Sequence, residues 1–345
     1  MVRARRSRSS APTIRDVAAH AGVSIATVSN VLSGTRYVGP ERRERVEAAI
    51  DALGYRPNGI AASLRSRRSR IIGIVVPDFT NAFFGGLVKR IEELAADSGY
   101  EIILVSSNED PALERQRIGA LLSRQVEAMI VVPAGDDFLS MDDLRLEGVP
   151  AVILDRAGSL AEVDTISADN EAATHEGTRH LLHLGHRDIA LLVSSLDLEN
   201  IREREAGYRR ALEEAGLSPR ARVVHGGLTV DSARQAAIGA LSGADRPSAL
   251  FAATHVAALG AIQAIRELDL SFPEEISLLG FDDFEWMTVL KPFISTIRQP
   301  TEKMGDLAWS LMTKRLAGEM QEHARIRLPC TLCVRESTIP AGKGV

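Results

Sequence analysis

From Ile71 onward the chain alternates short β-branched runs with longer amphipathic stretches, and this rhythm is the strongest constraint on its fold. Runs of strand length occur at Ile71–Val76, Glu101–Ser106, Ala128–Val132, Ala151–Leu154, Asp188–Val193, Ala221–Val224, Ala249–Ala252 and Ile276–Gly280. Helical stretches near residues 83–98, 111–124, 170–184, 201–215, 231–242, 255–268 and 301–317 lie between most of them. Strands that alternate with helices build parallel sheets covered on both faces. Some 275 residues of such units are too many for one ordinary doubly wound sheet, so the expectation is an α/β core of two lobes.

The chain ahead of Ile71 follows different rules. Residues 1–12 are rich in Arg and Ser and read as a disordered basic arm. Thr13, with Asp16 three residues on, is a helix N-cap, and Ile14, Val17 and Ala18 form one apolar face before a stop at Ala21-Gly22. Ser24 caps a second short helix, Ile25–Leu32, whose inward face is Val28 with either Val31 or Leu32. A third helix opens at Pro40-Glu41 and carries Val46, Ala49, Ile50 and Leu53 to a stop at Gly54. The segment after Asn58 is only two turns long and poor in apolar surface, so alone it is a marginal helix. Arg65–Arg70 is a second basic stretch and a natural boundary.

Charge is divided between these two regions. The net charge of −5 is the sum of +9 on residues 1–70, which hold 14 Arg and five acids, and −14 on the rest. A basic arm on an acidic body points to a polyanion at one end. A solvated basic tail would give the same arithmetic, and the order of the helices favours DNA. Ile14–Leu32 has the outline of a helix–turn–helix, in which Gly22 adopts positive φ and Val23 packs with Val28. Other three-helix bundles share that outline, but here it carries the positive charge. The second helix would enter the major groove by its amino-terminal residues. Ser24, Thr27 and Ser29 are candidates for phosphate contacts, with Thr13 and Asn58 as further DNA-binding candidates. Ile25 or Ala26 can meet a thymine methyl, and Asn30 can pair with adenine through two hydrogen bonds.

Thr13-Ile-Arg-Asp-Val-Ala-Ala-His-Ala-Gly-Val-Ser-Ile-Ala-Thr-Val-Ser-Asn-Val-Leu-Ser-Gly, followed by Arg45-Val-Glu-Ala-Ala-Ile-Asp-Ala-Leu-Gly-Tyr-Arg-Pro-Asn, resembles the headpiece of the lactose-repressor (LacI/GalR) family. The resemblance continues in order through Pro77-Asp-Phe-Thr-Asn-Ala-Phe-Phe, Leu184-Gly-His-Arg, Leu279-Gly-Phe-Asp-Asp and Ser295-Thr-Ile-Arg-Gln-Pro. It implies an α/β protein with an N-terminal three-helix headpiece and a two-lobed core like that of periplasmic sugar-binding proteins. The divisions would be a basic arm at 1–12, a helix–turn–helix domain at 13–57, a hinge helix and linker at 58–70 and the effector-binding and dimerisation core at 71–345. The implied partners are palindromic operator DNA, a small effector of sugar or nucleoside type, and a second copy of the chain. In the family the segment matching 58–66 folds as a hinge helix on DNA, with Leu64 as a minor-groove wedge, and a weak helix with an apolar wedge suits that role. Ala62 stands where relatives often carry a polar or basic residue.

Ligands of open α/β sheets bind at the carboxyl ends of the strands. Phe83 and Phe84 follow the first strand at the family's aromatic ligand-facing positions, and two adjacent aromatics among only 15 suggest a stacking surface. Packing of helix on sheet is the competing role. Arg204 and Asp282 match the family's ligand-binding arginine and aspartate, which would hold vicinal hydroxyls by charge-assisted hydrogen bonds. Asp155, after the fourth strand, and Gln299, at the lobe crossover, are further effector candidates for which surface or capping roles compete, and Thr254 is another that can also cap its helix. Thr254-His255 replaces the Asn-Asp of many relatives, and Leu228 stands where some place a large aromatic residue.

Other chemistries find little support. The spacing of His180, His183 and His186 lacks a fourth ligand, and they read as solvated helix-end histidines rather than a metal site. His175-Glu176 with His180 is one residue too long for a zinc-protease motif. Cys330 and Cys333 lie in a strand-like run without a second pair, which disfavours a zinc or redox site. No phosphate-binding or nucleophile-elbow motif occurs, so no cofactor is expected and an α/β enzyme of sugar or nucleotide metabolism is the lesser alternative. No apolar run approaches the roughly 18 residues that cross a bilayer. The basic amino terminus has no apolar stretch behind it, and the expected compartment is the cytoplasm. Pro340-Ala-Gly-Lys-Gly-Val is not the helical extension by which lactose repressors form tetramers.

Overall fold

The computed structural model describes residues 12–33, 36–55, 69–136, 138, 140–156, 158, 160, 162–289, 291–319 and 322–342. Asn58, Leu64 and the hinge segment lie outside the described residues. The chain forms two compact units, Met1–Ser69 and Arg70–Val345.

The first unit contains α1 (Ile14–Ala21), α2 (Ile25–Ser33) and α3 (Pro40–Leu53). The Asp16 carboxylate accepts from the Thr13 amide at 2.7 Å while the Thr13 hydroxyl accepts from the Asp16 amide, so two orphan donors are satisfied reciprocally. Gly22 has φ +63° at the end of α1, where the left-handed region favours glycine. Ser24 accepts from the Thr27 amide at 3.1 Å, capping α2. Val17, Ala18, Ala21, Val28, Val46 and Ala49 form the core, with Val31 packed against it. Leu32 is on the exposed side, which settles the inward face of α2. Arg45 of α3 donates to the carbonyls of Ala21 and Gly22 and ties the third helix to the turn.

The second unit is two α/β lobes. The amino-terminal lobe runs β1 (Ile71–Val76), α4 (Ala82–Asp97), β2 (Glu101–Ser106), α5 (Pro111–Leu122), β3 (Ala128–Val131), α6 (Met141–Leu146), β4 (Ala151–Leu154) and β5 (Asp164–Ala168). The carboxy-terminal lobe runs α7 (Asn170–His183), β6 (Ile189–Val193), α8 (Glu199–Glu214), β7 (Arg222–His225), α9 (Val230–Leu241), β8 (Ala249–Ala252), α10 (His255–Glu267), β9 (Ser277–Phe281) and β10 (Ser295–Arg298). The chain then returns to the first lobe for α11 (Thr301–Ala317) and β11 (Arg325–Leu328), and to the second for β12 (Thr331–Cys333). Three passages therefore join the lobes. The strand orders are β11-β5-β4-β3-β1-β2 and β12-β10-β9-β8-β6-β7.

The sheets are parallel as expected, the first throughout and the second except for its edge strand β12, which pairs antiparallel with β10. The cause is topological: β11 runs parallel to β5 and only two residues separate it from β12, so the chain leaves the carboxyl edge of the first sheet, enters the second from its carboxyl edge and runs against its neighbour β10. Three strands escaped the β-branched pattern. In β5 the polar Asp164, Thr165 and Ser167 are buried, and β10 and β11 mix polar with apolar positions. Asp164 is tolerated inside because Arg315 of α11 donates to it through Nε at 2.7 Å and Nη2 at 3.0 Å.

Met304, Ala308, Trp309 and Met312 of α11 pack with Phe84, Leu87 and Ile91 of α4 in the core of the first lobe. In the second lobe Tyr208, Phe251 and Phe281 fill one face of the sheet and the alanine-rich α10 covers the other. Gly207 lets α8 lie against α7 at very short range, since a β-carbon there would sit 2.1 Å from the Glu171 carbonyl oxygen.

The histidines correct a further expectation. His183 is exposed, but His186 is buried, with Nδ1 bonded to Ser248 Oγ at 2.9 Å and Nε2 to the Ile339 carbonyl at 3.0 Å. His180 Nε2 lies 3.0 Å from Thr338 Oγ1. These two rings fasten the carboxy-terminal segment to the second lobe, and burial lowers the pKa of each.

Candidate effector site between two lobes

Asp155 directly follows β4 in the first lobe and Asp282 directly follows β9 in the second, both at the carboxyl ends of parallel strands. Each has a left-handed backbone, with φ +63° and +72°, a conformation that aspartate tolerates better than most residues. The sharp turn sets both carboxylates inside, at 5% and 6% exposure. Arg204, in the second turn of α8, is 3% exposed.

These three charges are held by neutral partners. Arg204 donates from Nε to Asn170 Oδ1 at 2.9 Å and from Nη1 to the Ala253 carbonyl at 2.6 Å. Gln299 donates to Asp282 Oδ1 at 2.7 Å, and Asn200 of α8 donates to Asp155 Oδ2 at 3.0 Å across the lobes. Burial pushes the Asp155 pKa up against the pull of Arg204 and Arg156, and burial pulls the Arg204 pKa down against Asp282 and Asp155. Asp155 Oδ1, Asn200 Oδ1, Gln299 Oε1 and Arg156 Nε are buried without a hydrogen-bond partner among the described residues. Buried polar atoms are ordinarily paired, so three acceptors and one donor left over around this layer suit a polar guest. Arg156 itself is fixed by Glu109 at 2.5 and 2.8 Å and by the Pro133 carbonyl at 3.1 Å.

Phe83, Asp282 and Gln299 line a cavity of about 760 Å³ with parts of α4, α11 and the Asp283–Glu285 segment. Phe83 and Phe84 meet edge to face with ring centroids 5.1 Å apart, and both are buried in the hydrophobic core of the first lobe, with Phe83 also reaching the cavity wall. Phe79, in the same turn after β1, is the more exposed aromatic. Thr254 caps α10 by accepting from the Ala257 amide at 3.1 Å, and His255 beside it meets Phe284 edge to face. Leu228 is exposed and does not line the cavity. Asn200, Asn170 and Arg156 are the polar residues of this layer that sequence reasoning missed, and only their partners across space identify them.

In the first unit, Ser24, Ile25 and Ala26 are exposed at the start of α2, and Thr27, Ser29 and Asn30 are half-buried. Ser24 and Thr27 hydroxyls are also hydrogen-bonded to each other at 2.9 Å. Ile25 is 44% exposed. No cluster of three metal-ligating side chains occurs among the described residues. Burial pushes the Cys330 thiol up to about 12, so it stays protonated and unreactive at neutral pH.

Residues 13–58 match the model of bacterial regulatory proteins of the lacI family, and residues 178–338 match that of the periplasmic binding protein-like domain. Catabolite control protein A of Priestia megaterium is 32% identical over 94% of this chain and 99% of its own length. The chain belongs to the lacI family. The ribose operon repressor of Halalkalibacterium halodurans is 31% identical over 94% of this chain and 97% of its own length. The crystal structure of the lac repressor dimer bound to operator and the anti-inducer ONPF matches with a TM-score of 0.86 at 29% identity, covering 96% of this chain and 100% of that one. By its family this chain is a transcriptional regulator rather than an enzyme. Among the described residues no helix is long and apolar enough to cross a membrane.

Proposed function

We propose that this lacI-family regulator is a cytoplasmic repressor of carbohydrate-utilisation genes whose grip on a palindromic operator is set by a small polyhydroxylated effector. Residues 13–57 form its DNA-binding domain, 58–70 its hinge and linker, and 71–345 its effector-binding and dimerisation core. Thr13, Ser24, Thr27, Ser29 and Asn58 contact phosphates or cap the helices that do, Ile25, Ala26 and Asn30 read bases, and Leu64 enters the minor groove. Asp155, Arg204 and Asp282 hold the effector, with Gln299 and Thr254 beside them and Phe83 on the wall.

The observation that carries the effector reading is the buried trio Asp155, Arg204 and Asp282, each hydrogen-bonded to a neutral partner and surrounded by unpaired acceptors. A ligand rich in hydroxyl donors satisfies those acceptors, and vicinal hydroxyls bridge the arginine to a carboxylate. An effector changes the operator equilibrium only if it binds one state of the core better than the other.

A thermal-shift and calorimetric screen of neutral sugars and nucleosides, with Arg204→Ala and Asp282→Ala beside the parent, tests this reading. The expected outcome is a sugar that stabilises the parent, changes its operator affinity and fails on both variants. A ligand that acts equally on the parent and on both variants would place the effector elsewhere.

A further inference from the structure

Helix α8 carries both Asn200 and Arg204, and it begins without a cap of its own. The residue before it, Leu198, has no side chain able to accept a hydrogen bond. The missing acceptor comes from the other lobe. Asp136, in the segment after β3, accepts from the Glu199 amide through Oδ1 at 2.9 Å, and its Oδ2 takes the Arg202 guanidinium. Arg202 in turn donates to the Leu196 carbonyl at 2.8 Å, closing the entry to the helix. One turn on, Glu203 pairs with Arg327 of β11 at 2.5 Å, and Asn200 reaches Asp155 after β4. The first five residues of α8 thus bond to three separate segments of the opposite lobe.

The free amides of a first helical turn need acceptors, and an acid there is favoured by the helix dipole. Here the acceptor is present only while the lobes are together. Asn200 and Arg204 are four residues apart and share a helix face, so the order of this turn sets the position of both. We propose that Asp136 is a positioning residue for the effector site, capping α8 from across the cleft so that Asn200 and Arg204 take their places only as the lobes close. This rests on the reading of the interlobe layer as the effector site, and it adds that the site is assembled by closure.

Hydrogen exchange and small-angle scattering of the full-length protein, without any small molecule, test it. Asp136→Ala should speed exchange of the Glu199–Arg202 amides at least tenfold and enlarge the radius of gyration, while Asp136→Asn, which keeps an oxygen for the Glu199 amide, should restore most of the protection and the compact size. A merely local cap would change α8 exchange and leave the size untouched, and that result would overturn the proposal. Unchanged exchange in Asp136→Ala would overturn it equally. Neither readout involves ligand, so failure here is distinct from failure to find an effector at Arg204.

Discussion

The Arg204 guanidinium carbon lies 3.5 Å from the centroid of the Phe281 ring, while its hydrogen bonds go to Asn170 and the Ala253 carbonyl. A planar cation stacked on an aromatic face and pinned by two neutral acceptors keeps its position without a carboxylate partner. Lysine offers neither the plane nor the fork. Arg204→Lys is therefore expected to fold and to lose at least tenfold in effector affinity, measured by calorimetry with a sugar that binds the parent. Retention of full affinity would show that charge alone suffices.

Glu114 gives the core an unusual pH dependence. Its carboxyl group is 2% exposed and accepts from the Ala134 amide at 2.6 Å. Burial pushes its pKa to about 7, outweighing the pull of that amide and of Arg156. The folded protein then keeps a proton that the unfolded chain releases near its ordinary value, so this group costs stability as pH rises from about 4.5 to 7. The full effect is about 3 kcal/mol at pH 8. Urea unfolding at pH 5 and pH 8 should show Glu114→Gln more stable than the parent at the higher pH and little changed at the lower. Parallel profiles for the two proteins would refute it.

Packing of α7 on α8 depends on Gly207. An added β-carbon would meet the Glu171 carbonyl and lie 2.8 Å from the His175 amide, both backbone atoms that side-chain rotation cannot clear. Gly207→Ala should cost about 3 kcal/mol or more by overpacking. Gly119 in α5 has nothing within 4 Å of the same position, so Gly119→Ala should be neutral or stabilising by up to about 1 kcal/mol. Thermal unfolding of the two variants side by side distinguishes them.

Helix α2 predicts two kinds of defect. Asn30→Ala should relax preference at one operator base pair by about 1–3 kcal/mol, read by binding to operator variants. Ser24→Ala removes the cap of α2 and should weaken all sequences alike. Affinity of the parent should fall by roughly 0.9 log units per log unit of salt for each phosphate contact. A flat salt response would mean that the arginines of residues 1–70 face solvent.

Local pattern revealed what local physics determines. β1, six residues of Ile, Val and Gly, was readable as a strand, and Thr13 with Asp16 was readable as a cap. β5 was not, because its aspartate is made tolerable by Arg315, which arrives far later in the chain. The same reason hid Asp136, since capping rules look at neighbouring residues and α8 draws its acceptor from another lobe. Arg204 and Asp282 were named through resemblance, and Asp155 and Gln299 from their places after the fourth strand and at the lobe crossover. Asn200 went unnoticed because its meaning comes only from its hydrogen bond to Asp155.

The return of α11 and β11 to the first lobe has a consequence for synthesis. Met304, Trp309 and Met312 fill a core begun by β1, and β11 covers the edge of β5. A ribosome that has translated β1 to β5 has therefore released a lobe with an open flank and a naked strand edge, and it must make the entire second lobe before the missing pieces emerge. The second lobe can assemble most of its sheet first. Nascent chains stalled after residue 300 should expose the first lobe to protease and to chaperones, while the second lobe by then lacks only β12 and the carboxy-terminal segment that His180 and His186 hold.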